Sequence, residues 1–126
     1  MSLRTPLNKV LGHGAAGDGV GHWWMQRVTA IALIPLCAWF VLGLLCRDAG
    51  RHGEMFAWLS RPWPALLAIL LVVSLAWHSR LGVQVVIEDY VHAKGAKTFL
   101  LLLSVFVHLL AAAAGVFALL RLALAA

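Results

Sequence analysis

The sequence predicts an all-α membrane protein with three transmembrane helices, and three observations lead there. The chain of 126 residues is 63% hydrophobic and only 12% charged, whereas a soluble domain carries about 25% charged residues. So short a chain cannot hide that much apolar surface in a core of its own. The apolar residues also gather into three stretches, each long enough to cross the ~30 Å hydrocarbon layer, with charged or proline-bearing segments between them.

Residues 1–22 form a polar arm with glycines at positions 12, 14, 17, 19 and 21 and no helical period, so the expectation is a flexible segment at the membrane surface. The arm lacks a short apolar core with a small-residue cleavage site, so no removable signal peptide is expected. Residues 23–121 make up the anchor domain. Trp23 and Trp24 suit the aromatic belt of a membrane interface. The first span covers about residues 28–46, roughly 28 Å of helix, with Pro35 tolerated inside it. A charged loop follows, with Arg47, Asp48, Arg51, His52, Glu54 and Arg61, and reads as a solvated turn. Pro62 and Pro64 then mark the start of a helix. The second span covers about residues 64–87 and the third about 98–120.

Three spans put the chain ends on opposite sides of the bilayer. Arg4, Lys9, Arg27, Arg80, Lys94 and Lys97 fall on the side of the amino terminus, against Arg47, Arg51, Arg61 and Arg121 on the other. Six against four places the amino terminus in the cytoplasm. The net charge of +5 is spread over the segment ends, which fits headgroup anchoring and argues against nucleic acid. Cys37 and Cys46 are nine residues apart on one helix, about 13 Å, too far to pair.

The segment from Trp77 to His92 passes from the second span into a cluster of ionisable residues. His78 lies nine residues inside Ile87, about 13 Å deep. A histidine in hydrocarbon demands partners or a role, because unpaired ring nitrogens there cost several kcal/mol, of order 2–7. One turn away on either side stand Ser74 and Gly82, both small. They clear a strip that a flat macrocycle needs, and they equally suit close helix packing. The residues alone leave His78 as either a cofactor ligand or a hydrogen-bonded membrane histidine. His108 lies about 15 Å inside the third span, so depth alone allows the two histidines to act as a pair. Arg80 is about 200° round the helix from His78 and cannot share its face. No Asp or Glu lies deep in a span, which disfavours a small proton-coupled transporter.

The pattern H-x-R-L-G-x-Q-V-V-I-E-D-Y-V-H resembles the signature of the hydrophobic membrane anchor subunit of succinate dehydrogenase, respiratory complex II. His78, Gly82, Asp89 and Tyr90 carry the likeness. Upstream, Gly21-His22-Trp23-Trp24-Met25-Gln26-Arg27-Val28-Thr29-Ala30-Ile31 is similar to the family's G-x-H-x(4)-R-x-T-A-I entry to its first helix. With three spans in the right order, the resemblance covers nearly the whole chain. Arg80 and Glu88 depart from the enterobacterial form of the signature.

The resemblance implies an anchor whose helices form part of a heterodimeric bundle around haem b. His78 would be one axial ligand of the iron, and a cytochrome b anchor subunit would supply the other, leaving His108 as a hydrogen-bonding residue. Arg27, helped by His22, would face the haem propionates. Tyr90 would donate to ubiquinone, and Asp89 would hold a cation or relay protons. An iron-sulfur subunit and a flavoprotein subunit would deliver electrons from succinate. This chain has neither a cysteine cluster nor a dinucleotide-binding glycine motif, so it is expected not to be an enzyme on its own. The expected location is a bacterial inner membrane, or the mitochondrial one in a eukaryote. A haem-free structural anchor is the alternative.

Overall fold

The structure, a computed structural model, describes residues 16–47 and 52–125, with the backbone alone for residues 16–18 and 52. The described residues fold into four helices and no strand: α1 (Ala16–Leu45), α2 (His52–Leu59), α3 (Pro62–Tyr90) and α4 (Lys94–Leu124). Three of them, Gly19–Leu45, Pro62–Tyr90 and Lys94–Leu124, are long and apolar enough to cross a membrane. The protein is an integral membrane protein whose three spans match the three apolar stretches of the sequence.

The middle span is the hub, since α3 packs against both α1 and α4. Its first turn follows the sequence signals: Arg61 is extended at φ −70°, ψ 145°, with proline at the first helical positions, where a missing N–H costs nothing. Its last turn closes with the Val91 N–H on the Ile87 carbonyl at 3.0 Å. Close approach of α3 and α4 is set at Gly115, where a β-carbon would come within 2.9 Å of Val72 Cγ1. Few side chains are buried, and Ile34, Leu45, Phe106 and Leu110 among many others lie exposed. In water such a surface would drive aggregation; in a bilayer it meets lipid or partner helices.

Two stretches differ from the sequence reading. Residues 16–22, read as the end of the arm, begin α1 as helix, while residues 1–15 lie outside the described part. The loop after the first span is not a plain turn, because α2 folds within it. Its Trp58 is 5% exposed and sits on Gly43, whose missing side chain makes the room. Trp39 and Phe40 complete the aromatic cluster, with ring centroids 5.1 and 6.2 Å from that of Trp58. Arg47 caps it: its guanidinium lies 4.3 Å from the Trp58 ring centroid and donates to the Gly43 carbonyl at 3.0 Å. Burying one indole here is worth about 2–3 kcal/mol, enough to hold a short helix that propensity alone would not.

Candidate functional site

The seam between α1 and α3 brings together His22, Gln26 and Thr29 from α1 with His78 and Gly82 from α3. The three α1 residues are spaced four and three apart and so share one face. The Thr29 hydroxyl donates back to the Met25 carbonyl at 2.8 Å, with the Gln26 carbonyl at 3.1 Å. Such back-bonding is a common habit of threonine in a helix. Because that hydroxyl has a single proton and spends it on a carbonyl, its lone pair must accept from His78 Nδ1, 3.0 Å away. In the neutral ring this puts the proton on Nδ1 and leaves the Nε2 lone pair free. Among the described residues Nε2 has no hydrogen-bond partner.

One turn along α3, a β-carbon at Gly82 would meet only Gln26 Nε2, at 3.8 Å. The space over the glycine is open. Two polar atoms in the seam, His22 Nε2 and Gln26 Oε1, are buried and unpartnered, a condition that normally signals a missing partner. A neutral imidazole with one nitrogen held and the other free, beside an open glycine face and orphaned polar atoms, is a donor set that suits haem iron.

Arg27 lies off this stripe, about 100° from Gln26, with its guanidinium 5.4 Å from the Trp23 ring centroid. His22 thus faces α3, while Arg27 does not join it within this chain. Asp89 is eleven residues beyond His78, within about 20° of the same face, and Tyr90 is about 120° away. Both are exposed at the end of α3, Tyr90 at 79%. Neither touches His78, which lies about 18 Å along the helix axis from Tyr90. Glu88 is held in place instead: Gln84 Nε2 donates to its Oε1 at 2.8 Å, and Lys97 Nζ to its carbonyl at 2.9 Å.

His108 occupies the other seam, between α3 and α4, and is fully used. Its Nδ1 donates to the Ser104 carbonyl at 2.7 Å, which leaves Nε2 to accept from the Ser79 hydroxyl at 3.1 Å. No lone pair remains for a metal. Thr29 and Gln26 are the site residues for which sequence reasoning gave no role. The available signal was their spacing from His22, four and seven residues on.

Three spans with an unspent imidazole in one seam make the described residues a membrane-spanning helical unit. Comparison with known proteins says which. The profile of the succinate dehydrogenase/fumarate reductase transmembrane subunit family matches residues 1–118, and the chain belongs to that family. It is 33% identical over 127 residues to the succinate dehydrogenase hydrophobic membrane anchor subunit of Paracoccus denitrificans, covering 100% of this chain and 97% of that one. It is 32% identical over 101 residues to the corresponding subunit of Rickettsia bellii, covering 79% and 80%. A third relative, the succinate dehydrogenase membrane anchor subunit of Reclinomonas americana, is 34% identical over 85 residues, covering 64% and 68%. The chain is accordingly a non-catalytic membrane anchor.

Proposed function

We propose that this chain anchors succinate dehydrogenase in a bacterial inner membrane, with its amino terminus in the cytoplasm, and supplies one axial ligand to a haem b shared with a cytochrome b anchor subunit. The observation that carries the reading is the contact of Thr29 Oγ1 with His78 Nδ1 at 3.0 Å, which engages one ring nitrogen and leaves Nε2 without a partner among the described residues. When bound, haem b supplies a one-electron store. His78 would hold the iron through Nε2, Thr29 would orient the ring, and Gly82 would leave room for the macrocycle. His22, with its buried unpartnered nitrogen, and Arg27, which lies against Trp23, would face the propionates.

At the end of α3, Asp89 and Tyr90 form this chain's part of the ubiquinone site, completed by neighbouring subunits. The Tyr90 hydroxyl donates to a quinone carbonyl without burying a charge, and the Asp89 carboxylate holds a cation or passes protons inward. The flavoprotein and iron-sulfur subunits bring electrons from succinate.

The test is a reduced-minus-oxidised spectrum and redox titration of the complex carrying His78→Ala. Loss of the haem b band, or a large change in its potential, is expected while the subunits still co-purify. An unchanged band and potential would overturn the ligand assignment. A wild-type complex without any haem band would leave the chain a purely structural anchor.

A further inference from the structure

The side of α3 facing away from His78 carries a groove that neither the haem nor the quinone reading uses. Two adjoining cavities of about 170 and 430 Å³ run between α3 and α4 and share Arg80 and Val105 in their walls. The smaller lies toward the Tyr90 end and has Gln84 and Ser104 at its edge. The larger runs deeper between Val73, Ala76, Leu109, Ala112, Ala113 and Val116. His108 is there too, but both its nitrogens are already hydrogen-bonded within the seam.

Arg80 stands where the polar and apolar parts of the groove meet. It lies seven residues inside Ile87, about 10 Å, and its buried Nε has no hydrogen-bond partner. Its guanidinium rests 5.2 Å from the Trp77 ring centroid. Among the described residues no carboxylate pairs with it; the nearest along the helix, Glu88, is engaged by Gln84. A cation at this depth requires an anion, and the guanidinium fork fits two oxygens of a phosphate.

We propose that this groove binds a membrane phospholipid, with its phosphodiester on Arg80 and one acyl chain laid along the deeper cavity. The polarity of the groove is that of an amphiphile: a cation and two polar side chains at one end, aliphatic walls at the other. Its depth also fits. Ala112 lies fourteen residues from Thr98, about 21 Å in, which a leaflet's ~15 Å of hydrocarbon reaches when its phosphate is drawn down to the arginine. A lone unneutralised cation favours a net anionic headgroup over a zwitterionic one.

The experiment uses the assembled succinate dehydrogenase complex in nanodiscs of mixed phosphatidylglycerol and phosphatidylethanolamine, with retained lipid counted by native mass spectrometry. Wild type should keep one phospholipid more than Arg80→Gln or Ala112→Leu, with at least a fivefold preference for phosphatidylglycerol. The second variant fills the groove without touching the arginine, so it decides the matter should the first fail to assemble. Equal phospholipid retention in the assembled variants overturns the proposal. Loss of a partner subunit from Arg80→Gln at unchanged phospholipid content would assign the arginine to a partner's carboxylate and also overturn it. Loss of quinone rather than phospholipid from Ala112→Leu would do the same.

Discussion

Replacing Thr29 with valine keeps the shape of the side chain and removes the oxygen that accepts from His78 Nδ1 at 3.0 Å. A hydrogen bond of this kind contributes about 0.5–1.5 kcal/mol. Donating Nδ1–H to oxygen makes the ring a better electron donor at Nε2, which favours ferric over ferrous iron; without it the potential should rise. With ~1.4 kcal/mol and ~59 mV each corresponding to a factor of ten for one electron, the full bond energy sets a ceiling of about 20–65 mV on the shift. The buried N–H left behind also frees the ring to rotate, and haem affinity should fall about 10–100-fold. The assay is a redox titration of the complex with haem content measured in parallel. Thr29→Ser, which keeps the oxygen, should restore most of both values. If Thr29→Val leaves the potential and the haem content at wild-type levels, Thr29 does not act on the iron through the His78 ring.

Three further outcomes follow from the same geometry. Gly82→Leu places a branched side chain on the open face beside His78, where a β-carbon alone meets only Gln26; the complex should assemble without its full haem complement, as measured by pyridine haemochrome. Gly43→Ala drives a methyl into the Trp58 ring, an overpacking that costs about 1–3 kcal/mol and should lower the thermal midpoint of the detergent-solubilised complex while leaving the haem spectrum alone. Tyr90→Phe removes one donor from the exposed end of α3; quinone reduction should drop about tenfold, the worth of a ~1.4 kcal/mol hydrogen bond, with haem content unchanged.

The spans were legible because hydrocarbon length imposes a crude rule: some twenty apolar residues in a row. The short helix α2 was not. Its eight residues mix charged and apolar side chains, and what holds it is Trp58 on a glycine fifteen positions upstream, a contact that exists only once α1 is built. The candidate site divides the same way. His78 and Gly82 are one turn apart on a single helix, so their shared face follows from sequence spacing. Thr29 and His78 are 49 residues apart, and their contact depends on the register of α1 against α3. A threonine in an apolar span reads by default as bonded to its own helix, as Thr29 also is; that bond is what turns its lone pair toward the histidine.

Membrane depth does not separate His78 from His108, since each lies about 13–15 Å inside its span. What separates them is the state of the second nitrogen. His108 spends its proton on a carbonyl and its lone pair on the Ser79 hydroxyl, so coordinating a metal would require breaking that second bond. His78 engages only Nδ1, with Thr29. His108→Ala should therefore keep the haem spectrum and potential, while the two lost hydrogen bonds cost about 1–3 kcal/mol and lower the thermal midpoint of the complex. The same measurement on His78→Ala should give the opposite pattern, with haem lost and stability falling chiefly through that loss. Haem missing from the His108 variant, in a complex with all its subunits present, would mean that the hydrogen-bond states of the two rings do not decide which one binds iron.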